Sequence, residues 1–144
     1  MLQLILLALV LSAGLAGAAA WDGPLAQLAT ACGGALLLTA GALIGRGFMD
    51  LGRNLTAVPR PRDDARLVET GIYALVRHPL YGGLVTGALG WSLLMASPPA
   101  LLLTAGLAVF FDLKARREEA WLRERYAGYA SYMARTRRLI PWLY

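Results

Sequence analysis

Two short polar strings carry the residue types that chemistry needs. The first is Tyr73-Ala74-Leu75-Val76-Arg77-His78-Pro79-Leu80-Tyr81, and the second is Lys114-Ala115-Arg116-Arg117-Glu118-Glu119. Pro79 is the residue type favoured at the first position of a helix, which puts His78 at the cap. Arg77 and His78 then donate where a helix dipole is positive, an arrangement that suits an anion. His78 and Tyr81 are three apart and share a helix face, as do Lys114 and Glu118, which are four apart. Taken singly, each has a plainer reading. Arg and Lys at helix ends extend their heads to water, a capping His is structural, and adjacent glutamates form surface ion pairs. The functional reading rests on the strings converging.

The elements that must position them follow from the apolar runs. Of the 144 residues, 58% are hydrophobic and 16% charged, against about 45–50% and about 25% in ordinary globular chains. A bilayer-crossing helix needs roughly 20 apolar residues. Leu2–Ala20, Leu25–Gly45, Leu80–Ser97 and Pro98–Phe111 contain no charged residue. The expected fold is an all-α membrane protein, one domain over 1–144 with about four transmembrane helices. Ala18-Ala19-Ala20 resembles a signal cleavage site, but no Lys or Arg precedes the run, so a retained span is expected. Spans three and four form a tight hairpin through Ser97-Pro98-Pro99. Their far ends return to the same depth, which brings Arg77 and His78 beside Glu118 and Glu119.

The net charge of +5 fits the membrane better than nucleic acid. Every Lys and Arg falls within Arg46–Arg77 or after Phe111, while the two short turns carry only Asp22. By the positive-inside rule both termini, the central loop and the candidate site face the cytoplasm. Cys32, the one cysteine, excludes an internal disulfide and is expected to be a small packing residue.

Residues 1–45 form a scaffold hairpin in which Gly14, Gly17, Gly33, Gly34, Gly41 and Gly45 permit close helix approach. Residues 46–144 hold the polar loop, the second hairpin and the tail. In the loop, Val58-Pro59-Arg60-Pro61-Arg62 is expected to be extended, and Thr70-Gly71 to turn. In the tail, Leu122, Tyr126, Tyr129 and Met133 recur at helical spacing, predicting a C-terminal helix on the cytoplasmic interface. Trp121, Trp142 and Tyr144 are expected as interfacial anchors.

The sequence Leu67-Val68-Glu69-Thr70-Gly71-Ile72-Tyr73, followed by Arg77-His78-Pro79-Leu80-Tyr81-Gly82-Gly83, resembles the isoprenylcysteine carboxyl methyltransferase family. The likeness passes through the Pro-containing turn to Glu118-Glu119, Leu122, Tyr126, Tyr129, Tyr132 and Ile140-Pro141. It covers Leu51 to Pro141. Phosphatidylethanolamine methyltransferases look like more distant relatives with the same paired glutamates. The resemblance implies an integral membrane methyltransferase using S-adenosyl-L-methionine. Carried over, the cofactor-binding residues are Leu67, Val68, Tyr73, His78, Pro79, Leu80, Tyr81 and Glu118. The family's substrate-contacting Arg is Lys114 here, which keeps the charge and loses the planar fork. A further polar family position falls on Val58.

The residue chemistry is compatible with that cofactor. A carboxylate suits Arg77, His78 and the helix terminus, a glutamate suits an ammonium or ribose hydroxyls, and Tyr73 or Tyr81 suits adenine or a sulfonium. No metal site is expected. Methyl transfer needs alignment and exclusion of water. A carboxylate acceptor needs no base, whereas an amine would call on His78 or Glu119, so Arg77, His78 and Glu119 are the candidate catalytic residues. The acceptor is expected to be lipophilic, arriving from the bilayer with a carboxylate, amine or thiol. Two alternatives remain: a membrane reductase of sterol-like or isoprenoid double bonds using NADPH, for which no dinucleotide fingerprint is visible, and a non-catalytic membrane scaffold.

Overall fold

A computed structural model describes residues 1–17, 21–52 and 67–144. The Ala18-Ala19-Ala20 site, the extended stretch around Pro59 and Pro61, and Val58 lie outside them. Among the described residues five α-helices follow in order: α1 (Leu2–Ala16), α2 (Gly23–Leu51), α3 (Pro79–Leu94), α4 (Pro98–Arg125) and α5 (Tyr129–Arg135), with a 3-10 turn at Gly71–Ala74. Among the described residues there is no β-strand, only an isolated parallel bridge between Val76 and Arg137.

Two helices, α2 and α4, are long and apolar enough to cross a membrane, and less than a third of either apolar window is buried. A core helix of a soluble protein would hide most of that surface. The apolar excess faces outward along α1 and α2 as well, through Leu4, Ile5, Leu11, Leu15, Leu28 and Leu38. At 15 and 16 residues, α1 and α3 are about 22–24 Å long.

The chain divides into two compact units, Met1–Ala42 with Gly83–Phe111, and Leu43–Gly82 with Asp112–Tyr144. In the first unit small residues admit close neighbours. A Cβ on Gly14 would collide with the Trp91 indole, and one on Gly33 would lie 2.8 Å from the Gly90 carbonyl. A Cβ on Gly34, Gly41 or Gly45 would meet nothing within 4 Å among the described residues, so the close approach expected at these three is not seen there. Ser92 Oγ and Thr104 Oγ1 pair at 3.0 Å, and Ser97 Oγ donates to the Ala13 carbonyl at 2.9 Å. Both satisfy polar groups that lipid would leave unpaired.

Three sequence expectations need correction. The second helix continues past Gly45 to Leu51, because Arg46 and Asp50, four apart, pair along it at 3.3 Å and charge ends an apolar run without ending a helix. The tail is not one amphipathic helix. It breaks between Arg125 and Tyr129, so Leu122 and Tyr126 do not share a helix with Tyr129 and Met133. Tyr129 and Tyr132 are fully buried. Cys32 is exposed on α2 instead of packed.

Candidate functional site

The site is built entirely within the second unit. Its loop is fixed before the chemistry begins. Gly71 has φ +61, a left-handed conformation that glycine adopts without penalty, and a side chain there would run into the Asp50 carboxylate. Asp50 accepts a hydrogen bond from the Ile72 amide at 2.7 Å. Tyr73 is buried beneath that turn, donating to the Gly47 carbonyl at 3.3 Å. Burial first, then the charges of Glu118 and Asp50, push its phenol up to about 12. The Tyr132 hydroxyl donates to the Tyr73 carbonyl at 2.7 Å, and Arg135 pairs with Glu69. Tyr129 and Tyr132 also have raised phenol pKa values, chiefly through burial. Leu67 and Val68 are half-buried in the irregular segment that leads into this turn.

The chain then runs alongside residues 137–138. The amides of Arg77 and His78 donate to the carbonyls of Arg137 and Arg138 at 2.8 and 3.0 Å, and the Arg137 amide returns a bond to Leu75. Helix α3 starts at Pro79, as the sequence predicts. One turn later Gly82 lies so close to the Leu139 carbonyl that a Cβ would overlap it.

Glu119 is the charged centre. Its side chain is 3% exposed. Oε1 takes Arg77 Nε at 2.7 Å and Oε2 takes Arg138 Nε at 3.2 Å. His78 Nε2 stands 3.5 Å from Oε1. Burial alone would raise this carboxyl, but His78 and Arg77 outweigh it and hold the pKa at about 2. Arg77 is committed further: Nη1 donates to the carbonyls of Met133 and Thr136 and to Thr136 Oγ1 at 3.2, 2.6 and 3.2 Å.

Around this centre the side chains expected to hold a ligand lie together. The rings of His78 and Tyr81 stack, with centroids 5.3 Å apart and planes 4° off parallel. Tyr81 donates to Glu118 Oε2 at 2.9 Å, His78 Nδ1 lies 3.9 Å from the same oxygen, and Lys114 Nζ sits 4.9 Å from the Tyr81 ring centre. Glu118 stays 22% exposed while Glu119 is closed off. His78 Nε2 is buried and makes no hydrogen bond among the described residues.

Two proposed roles change in this geometry. Arg77 was expected to offer its guanidinium to a ligand anion, yet its Nε and Nη1 serve Glu119 and the end of α5. Glu119 was a candidate base, yet a carboxylate held at about 2 has little pull on a proton at neutral pH. Sequence reasoning also missed Arg138, Asp112, Thr136 and Tyr144. Arg138 Nη1 donates to Asp112 Oδ1 at 3.0 Å and to the Tyr144 hydroxyl at 2.8 Å. Tyr144, expected as a membrane anchor, donates to Asp112 Oδ1 at 3.0 Å. Trp121 lies under the Arg117 guanidinium, 5.3 Å from its ring centre. The signal available in sequence was a second arginine close to the family-like Ile140-Pro141.

The sequence model of the phospholipid methyltransferase family matches residues 28–128, a stretch containing both polar strings. The chain belongs to that family. A cobalt-zinc-cadmium resistance protein, CzcN, of Cupriavidus metallidurans is 34% identical over 139 residues, covering 93% of this chain and 59% of the relative. Probable protein-S-isoprenylcysteine O-methyltransferases of Oryza sativa subspecies indica and japonica are each 30% identical over 96 residues, 64% of this chain and 50% of theirs. The family match and the two Oryza relatives bear out the resemblance to isoprenylcysteine and phospholipid methyltransferases. The chain spans between half and three-fifths of the length of the curated relatives it matches.

Proposed function

We propose that the chain transfers a methyl group from S-adenosyl-L-methionine to a lipophilic acceptor at the cytoplasmic membrane face. The observation carrying this is the grouping of a part-exposed carboxylate, Glu118, with Tyr81 and His78, whose buried Nε2 makes no hydrogen bond among the described residues and lies beside the clamped Glu119. In this reading α1 and α3 cross the bilayer along with α2 and α4, residues 1–144 form one domain, and the charged end of α4 and α5 lies at the cytoplasmic interface.

The residues fit the cofactor's functional groups. Glu118 matches an ammonium or ribose hydroxyls, Tyr81 is an aromatic ring beside it, and His78 is a buried imidazole whose Nε2 has only the long 3.5 Å approach of Glu119. Leu67, Val68, Tyr73, Pro79 and Leu80 complete the binding set. Bound S-adenosylmethionine supplies an activated methyl group. The chain's part is orientation and exclusion of water. A carboxylate acceptor needs no proton removed, and Lys114 is the cation placed to hold it. For an amine acceptor the base is His78, because Glu119 is held too acidic.

The reductase alternative is weaker. A nicotinamide dinucleotide needs phosphate ligands, and Arg77 and Arg138, the guanidiniums on Glu119, are engaged internally. Incubating membranes containing the protein with methyl-labelled S-adenosylmethionine tests the proposal. Label is expected in the organic-soluble fraction, and His78→Lys or Glu118→Asp should abolish it. Full transfer by both variants would favour a scaffold role and sink the site assignment.

A further inference from the structure

We propose that Arg138 is a positioning residue for His78, acting through Glu119. The inference extends the methyl-donor site just described to a residue of the C-terminal segment. Arg138 addresses His78 twice. Its carbonyl accepts the His78 amide at 3.0 Å, fixing the backbone just before α3. Its Nε holds Glu119 Oε2 at 3.2 Å, and Glu119 Oε1 lies 3.5 Å from His78 Nε2.

A carboxylate gripped at one oxygen only can rotate about its last bond. Gripped by Arg77 on one side and Arg138 on the other, Glu119 presents one orientation to the imidazole. Partners behind a functional group commonly set its orientation in this way. Arg138 is itself fixed, its Nη1 bonding both Asp112 Oδ1 and the Tyr144 hydroxyl, which bond each other. Its side chain is 18% exposed, so it is not a freely solvated surface cation. The planar fork spans Glu119 and Asp112 together, which a lysine ammonium cannot reproduce. The Leu139 carbonyl against Gly82 continues the same docking along α3.

The test uses the single histidine. In protein labelled with nitrogen-15 and held in detergent micelles, the imidazole signals belong to His78 alone. Arg138→Gln is expected to shift those signals and to weaken S-adenosylhomocysteine binding by about tenfold. Arg138→Lys should recover only part of the affinity. Unmoved imidazole signals with wild-type affinity in Arg138→Gln would overturn the proposal. If that variant does not fold, Tyr144→Phe, which removes one anchor of Arg138, replaces it: shifted signals support the proposal, unmoved signals overturn it. The imidazole readout does not depend on cofactor binding. A wild type that fails to bind S-adenosylhomocysteine would defeat the methyltransferase reading while leaving the clamp testable.

Discussion

Replacing Glu119 by Gln changes no volume and removes one charge, at a point where two guanidiniums and an imidazole meet. A carboxyl whose pKa is held at about 2 instead of 4.5 is favoured in its charged form by about 3 kcal/mol. The side chain is only 3% exposed, so solvent screening removes little of that. The variant also leaves Arg77 and Arg138 facing an amide, which cannot neutralise them. Removing one partner of a buried ion pair costs about 3–5 kcal/mol, so the two routes agree on roughly 3 kcal/mol. On the usual scale for a domain of this size, melting should fall by roughly 10 °C. The pH dependence follows from the same numbers. With a depressed folded pKa, the contribution is complete above the unfolded value of 4.5 and is lost as pH falls toward about 2. Wild-type protein in detergent should therefore lose stability across that window, and Glu119→Gln should lack this part of the slope. A variant that melts like wild type at neutral pH, and titrates like it in acid, would refute the clamp as an energetic unit.

Other outcomes follow from single contacts. Gly82→Ala drives a methyl into the Leu139 carbonyl, so the C-terminal segment should lift, costing about 1–3 kcal/mol, and limited proteolysis should cut after α5 sooner than in wild type. Tyr81→Phe removes the hydroxyl that donates to Glu118 at 2.9 Å. The net loss of about 1 kcal/mol should lower melting by about 3 °C, and S-adenosylhomocysteine affinity should weaken in calorimetry because Glu118 is no longer held. Orientation is open to labelling: in a Cys32→Ser background, Arg137→Cys should react with an impermeant maleimide from the cytoplasmic side alone, and reaction from the opposite side would invert the topology.

Local sequence carried the start of α3 and the convergence on Glu118 and Glu119, because a proline, a tight hairpin and helical spacing are short-range signals. It did not carry the end of α2. There hydropathy marks where lipid-compatible surface stops, and the Arg46–Asp50 pair lets the helix run on. The fate of Arg77 was hidden for a different reason. Two of its four acceptors are the backbone carbonyls of Met133 and Thr136, groups every residue possesses. Arg138 and Asp112 looked like two more charges on a charged tail, and only the turn of the chain after α5 makes them partners. The break before Tyr129 had a visible cue in Gly128, but the regular spacing of Leu122, Tyr126, Tyr129 and Met133 concealed it.

The central claim is that this polar cluster binds the methyl donor. Calorimetry of the detergent-purified protein with S-adenosylhomocysteine, with NADPH in parallel, tests it most directly for wild type and Glu118→Ala. Binding of S-adenosylhomocysteine to wild type, its loss in Glu118→Ala, and no heat from NADPH are the expected results. Binding of NADPH alone, or equal binding of S-adenosylhomocysteine by both proteins, would contradict the account.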